Sequence, residues 1–208
     1  SGWDDGTGTS ARFNHPTSTA VDGSGNVYVA DTYNDTIRKI SAAGVVATYA
    51  GGIKGSLDGT VTGDFITDPE FNLPYGVAAD ASGNVFVADG YNHTIRKITP
   101  GRVVTTIGGK ALTSGTADGI GNTARFNSPH GVAVDALGNV YVSDFINHTI
   151  RKGTPIDGIA VAAPDGSALI SSSGNVNCGL VKTGTSSTQS FTIQNTGLSN
   201  LVISSISF

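Results

Sequence analysis

The chain has 208 residues, enough for one large or two small domains. Its 29 glycines and 13% charged residues suit an all-β protein of many short strands and tight turns. A net charge of −4 without any Lys/Arg run leaves no electrostatic footprint for nucleic acid, and the single cysteine excludes an internal disulfide framework or a CxxC metal or haem motif. No apolar run approaches the roughly 18–20 residues of a spanning helix, and the absence of any methionine makes the expected molecule a processed protein or a fragment whose targeting information is lost.

In chain order, the opening stretch SGWDDGTGTSARFN matches the later GTADGIGNTARFN, so the chain opens in a linker between repeated units. The first unit follows as ARFNHPTSTAVD and then, from Gly25 to Ile40, GNVYVADTYNDTIRKI. The second carries PEFNLPYGVAAD and, from Gly83 to Ile98, GNVFVADGYNHTIRKI, identical to the first at 13 of 16 positions. The third carries ARFNSPHGVAVD and, from Gly138 to Lys152, GNVYVSDFINHTIRK. The equivalent phenylalanines are Phe13, Phe71 and Phe126, spaced by 58 (71 − 13) and 55 (126 − 71) residues. In the second unit the strands are expected at Gly76–Asp80, Val85–Ala88, Thr94–Ile98 and Val103–Ile107, with Ala81–Asn84 and Asp89–Asn92 as turns. Four strands per unit at this period describe a propeller blade. The repeats run over about 11–51, 69–109 and 124–152, inside a region spanning residues 1–153.

These motifs, Pro-x-Gly-Val-Ala-Val-Asp, Gly-Asn-Val-Tyr-Val-Ala-Asp and Asn-His-x-Ile-Arg-Lys, closely resemble the NHL repeat family. Units two and three match nearly throughout, whereas unit one has Ser18 for the glycine and Asp35 for the histidine. The resemblance implies a six-bladed ring. Three blades cannot close one, so the expectation is that further blades are missing upstream. The alternative is a homodimer in which two chains complete one six-bladed ring.

After Lys152 the pattern changes. In residues 154–208, Ser190–Gln194 (SFTIQ), a turn at Asn195–Gly197 and Leu201–Ile206 (LVISSI) read as strand, turn, strand. This segment resembles the Ig-like choice-of-anchor D and ASPM-SPD2-Hydin modules of large exported bacterial proteins, with Cys178 where phenylalanine is usual before Gly179. Such sandwiches take about 100 residues, so a truncated Ig-like module is expected here, and the resemblance places the chain outside the cell or on its surface.

The aspartates that close strands (Asp22, Asp80, Asp135; Asp31, Asp89, Asp144) recur in every unit and suit turn formation better than a carboxylate ring. Arg38, Arg96 and Arg151 also recur, and ion pairing or stacking between blades accounts for them better than substrate binding. Asp4-Asp5-Gly6, Asp58-Gly59 and Asp118-Gly119 mark the linkers. They are turn formers, with calcium the alternative. Asn34, Asn92 and Asn147 each begin an Asn-x-Thr triplet, where asparagine makes a turn and threonine opens a strand. Some NHL relatives hold zinc with histidines from several blades. Here the residue after the motif proline is Thr17, Tyr75 and His130, while His15, His93 and His148 lie elsewhere in the repeat, so no histidine triad converges. Thr17, Tyr75 and His130 fall at equivalent points near the axis and are the candidate ligand contacts. Trp3, Tyr33, Tyr91 and Phe145 form a contact patch or cover blade edges, two readings the sequence leaves open. The expected function is a non-catalytic binding or scaffold module for a protein or glycan ligand. The alternative is a propeller-based metal-dependent lyase or hydrolase with ligands partly in missing blades. RNA binding would need a basic face, against the −4 balance.

Overall fold

Runs such as Val27–Asp31 and Thr36–Ile40 alternate large and small side chains between Gly/Asn-rich turns, which favours short antiparallel strands over helices. In the computed structural model, which describes residues 1–64 and 68–154 and the backbone of 159–162 and 192–195, these strands assemble into successive sheets. The first contains β1 (Gly6–Thr7), β2 (Pro16–Val21), β3 (Val27–Asp31), β4 (Thr36–Ile40) and β5 (Val45–Gly51), in the order β1-β5-β4-β3-β2. The second repeats it with β6 (Gly59–Thr60), β7 (Pro74–Ala79), β8 (Val85–Asp89), β9 (Thr94–Ile98) and β10 (Val103–Gly108), in the order β6-β10-β9-β8-β7. The third holds β11 (Pro129–Val134), β12 (Val140–Asp144) and β13 (Thr149–Gly153). All pairings inside these sheets are antiparallel. Strand β7 lies against both β2 and β11, so the three sheets are consecutive blades of a partial β-propeller.

The turn after each first strand is built by one aspartate. Asp22 Oδ1 accepts the N–H groups of Ser24 and Asn26 (2.9 Å each), and Oδ2 accepts Asn26 Nδ2 at 2.8 Å. Asp80 and Asp135 do the same in blades two and three. The fourth turn residue is Gly25, Gly83 or Gly138, at φ of +78°, +79° and +79°, where a side chain would be strained.

The other aspartates do more than turn the chain. Asp31, Asp89 and Asp144 are fully buried. In blade two, Asp89 Oδ2 accepts from Arg96 and from Asn92 Nδ2 (2.8 and 2.7 Å), and Oδ1 accepts the Asn72 N–H at 2.8 Å. Arg96 lies 5.1 Å above the Phe71 ring and reaches the linker carboxylate of Asp58 at 2.7 Å. Blade one reproduces this with Asp31, Arg38, Phe13 and Asp5, and blade three with Asp144, Arg151, Phe126 and Asp118. The expected pairing between blades is corrected: each arginine pairs within its own repeat, tying strand, linker and turn together. The linker aspartates Asp5, Asp58 and Asp118 each face a guanidinium.

Two apolar clusters fill the junctions between blades. The first gathers Tyr28, Ile37, Tyr49, Phe71, Val77 and Ile98 from blades one and two. The second gathers Phe86, Ile95, Phe126, Val140 and Val142 from blades two and three. Each fully buried Phe or Ile contributes on the order of 1.5–3 kcal/mol.

The linkers add a fifth edge strand, β1 or β6, that was not expected, because Asp-Gly reads as a turn. Strand β7 also begins at Pro74, two residues earlier than expected. The chain divides into compact units at Ser1–Gly153 and Thr154–Phe208. In the second, β14 (Ile159–Ala162) pairs antiparallel with β15 (Thr192–Asn195), which overlaps the expected strand Ser190–Gln194 and takes in Asn195, expected in the turn. The expected Ig-like module, with Cys178 and Leu201–Ile206, otherwise lies outside the described residues.

Candidate functional site

The residue after each motif proline occupies a special backbone position. Pro16 pairs with Asp31 and Ser18 with Ala30, so Thr17 is the extra residue of a β-bulge. The same register break isolates Tyr75 between Pro74 and Gly76, and His130 between Pro129 and Gly131. A bulge re-aims its extra side chain out of the ladder, and such features recur beside binding sites.

These three residues meet across the blade junctions. Thr17 Oγ1 donates to the Tyr75 carbonyl at 2.7 Å. The Tyr75 ring lies 4.2 Å from His130, tilted by 37°. His130 in turn stacks on Phe145 at 4.1 Å with an interplanar angle of 5°. Gly90 makes the row possible, because a Cβ there would run into the Tyr75 ring. Blade one has Thr32 at that position, donating to the Pro74 carbonyl at 2.7 Å, and blade three has Phe145 itself. A second stack joins His15 and Tyr33 at 4.2 Å. Tyr33, Tyr91 and Phe145 are each about half exposed, at 55, 52 and 51%. Phe145 is therefore an open surface continuous with the candidate contacts through His130. Trp3 is also exposed but has no ring partner among the described residues.

Burial pushes the Tyr75 phenol up and the His130 imidazole down. The row therefore presents neutral hydrogen-bonding groups near pH 7: a phenol, an imidazole and a threonine hydroxyl.

Of the two motif histidines, His148 sits at φ +57° and His93 is a structural acceptor. His93 sits at φ +58°, and its Nδ1 accepts the Ser128 N–H of the next blade at 3.0 Å. Burial lowers its pKa, against a raising pull from Asp144. Asp35 is its counterpart in blade one, at φ +53°, accepting the Leu73 N–H at 2.7 Å. Unit one's departure from histidine thus keeps the acceptor and changes only its chemistry. Its other departure is equally local. Gly76 lets backbones meet, since a Cβ there would strike the His130 carbonyl, whereas Ser18 bridges with its hydroxyl, accepting the Val77 N–H at 3.2 Å. Among the described residues, no three His, Cys, Asp or Glu side chains gather as a metal set.

Residues 13–40, 71–98 and 126–152 each match the NHL repeat model. The chain carries three NHL repeats. The human NHL repeat-containing protein 2 is 32% identical over 133 residues, covering 60% of this chain and 18% of that protein, so the chain spans under a fifth of this relative's length. Among solved structures, a Bacteroides thetaiotaomicron protein of unknown function superposes with a TM-score of 0.56 at 26% identity, over 62% of this chain and 32% of that one. An auxiliary nutrient binding protein of the same organism gives 0.51 at 23%, over 61% and 34%. A gluconolactonase from Xanthomonas campestris gives 0.50 at 13%, over 75% and 46%. The last two likenesses speak to the fold alone. The NHL repeats of this chain therefore share a propeller architecture with binding proteins and enzymes alike, and the site must argue the function.

Proposed function

We propose that the NHL blades form a non-catalytic binding module of an exported bacterial protein, taking a protein or glycan ligand on the row Thr17, Tyr75, His130 and Phe145. The observation that carries this reading is the repeated bulge, which turns one side chain per blade into a single aromatic and polar row. Rings with satisfied or neutral polar groups suit recognition by stacking and hydrogen bonding. Among the described residues, the buried carboxylates Asp31, Asp89 and Asp144 pair with arginines, and His93 is spent as a backbone acceptor. The export reading rests on the resemblance of residues 154–208 to modules of exported proteins.

Arrays of immobilised glycans and peptides, probed with the full chain, test it. Wild type should retain a defined class of ligand. Tyr75→Ala and His130→Ala should each weaken it about tenfold or more, in line with about 1.4 kcal/mol or more per lost anchor. Retention unaffected by both variants would move the site off this row.

A further inference from the structure

The opposite ends of the same strands carry a second feature. An open groove of about 290 Å³ lies between blades one and two, lined among others by Asp22, Ser24, Tyr28, Lys39, Tyr49 and Ser82. The register Val21↔Val27 and Val27↔Ile40 places it at the strand ends away from Thr17 and Tyr75. It is a different surface from the aromatic row.

Its charges are unevenly engaged. The Asp22 oxygens accept from Ser24, Asn26 and the Tyr28 hydroxyl. Against the upward push of burial, these bonds hold its carboxyl below the usual carboxylate range. Lys39, by contrast, has no carboxylate at ion-pair distance among the described residues. Its ammonium rests over the Tyr28 and Tyr49 rings at 5.6 and 5.8 Å, which hold the cation without neutralising it. The Arg102 guanidinium also stands 6.0 Å from the Tyr49 ring and has no carboxylate at ion-pair distance among the described residues.

Asp22, Tyr28 and Lys39 recur in blade three as Asp135, Tyr141 and Lys152, and what sets this groove apart is Tyr49 with Arg102. Blade two has Phe86 and Ile107 where blade one has Tyr28 and Tyr49. Arg102 replaces the glycine that blade one has at Gly44. It accepts a left-handed φ of +60°, and its Nε donates to the Tyr49 carbonyl at 3.0 Å. The Tyr49 hydroxyl donates in turn to the Thr99 carbonyl at 3.2 Å. A side chain held at positive φ is a cost that persists where its surroundings require it. Here it clamps Tyr49 beside Lys39.

We infer that this groove binds a small hydroxylated carboxylate of monosaccharide size, its carboxylate paired with Lys39 and its hydroxyls met by Ser24 and Ser82. The volume lies at the lower edge of small-molecule sites, which run from about 300 Å³. The two serines sit at equivalent turn tips of adjacent blades, so they flank the groove from both sides. The inference stands apart from the ligand of the aromatic row, and either can fail alone.

The test is an amide NMR titration of the full 208-residue chain with D-glucuronate, D-glucose and sulfate as probes. Glucuronate should shift the turns around Ser24 and Ser82 and saturate at millimolar concentration. Glucose, lacking the charge, should bind at least about tenfold more weakly. Sulfate, lacking the hydroxyls, should do the same. Lys39→Gln should lose about tenfold or more in glucuronate affinity with its spectrum otherwise unchanged. Tyr49→Ile, which installs the blade-two residue, should weaken binding while keeping an apolar side chain in the junction. No shift at these turns with about 10 mM glucuronate would overturn the proposal. So would glucose or sulfate binding as tightly as glucuronate, or Lys39→Gln binding like wild type.

Discussion

At the scale of single residues, the repeated Asp–Arg pair is the strongest organising contact. Asp89 and Arg96 are both buried, and burial pushes the Asp89 carboxyl up to about 6 against the pull of Arg96 and its N–H donors. Removing one partner strands the other in a low-dielectric interior. Arg96→Met should therefore destabilise the chain by about 3–5 kcal/mol, read from urea unfolding. Arg151→Met should cost less, because Arg151 is partly exposed and its linker partner Asp118 is almost fully so. His93 adds a pH dependence. Its pKa is lowered in the folded state, so unfolding takes up a proton once the pH drops below the ordinary histidine value of about 6.5. Its contribution is complete above that value and is lost as the pH falls through the lowered folded value. Protonation would also cost Nδ1 its role as acceptor for Ser128. His93→Asn keeps an acceptor that does not titrate, so its stability should fall less steeply between about pH 6.5 and 5. His130, lowered in the same direction, leaves a residual slope. Equal slopes in the two proteins would remove His93 from this role.

At the scale of elements, the same repeat position makes opposite predictions in different blades. Ile37 and Ile95 are buried to 0 and 2%, whereas Ile150 is 74% exposed. Ile95→Ala should cost about 2–5 kcal/mol as a core truncation. Ile150→Ala should stay within about 0.5 kcal/mol, measured by the same unfolding curves. A large cost at Ile150 would show that another surface covers it in solution. The blades were legible in the sequence because the motif recurs in register. Alternating runs fix strands, and Gly/Asn pairs fix turns at the same offsets each time. The edge strands β1 and β6 were not legible, since two residues carry no periodicity and Asp-Gly reads as a turn. The arginine role was legible only in part. Repetition flagged Arg38, Arg96 and Arg151, but which carboxylates they meet depends on how the linker folds back over the sheet. The bulge at Thr17, Tyr75 and His130 was likewise invisible as a register break, although the position itself stood out after the proline. Gly90 was a signal passed over: a glycine where the other blades have Thr32 and Phe145 marks the place where Tyr75 lies across.

At the scale of the whole unit, identical locks hold each blade while the residues between locks vary. Arg–Asp pairs and Asp-Gly turns repeat without change, whereas Thr17, Tyr75 and His130 differ from blade to blade and Tyr49 gives way to Ile107. Constancy belongs to the scaffold, and variation collects in the row and the groove proposed as contact surfaces. The end blades show the same surfaces that the inner junctions bury. Ile150 on blade three and the partly exposed Phe13 and Val27 on blade one are repeat equivalents of buried residues. The measurement that tests the central claim most directly follows a retained ligand itself. A ligand captured through the Tyr75–His130 row is held with the full chain at equal concentration and then recovered for mass spectrometry. The account predicts stoichiometric binding, lost in Tyr75→Ala, and a ligand of unchanged mass after prolonged contact. A ligand recovered cleaved or hydrolysed, with turnover abolished by a metal chelator, would contradict a binding module and make the propeller an enzyme.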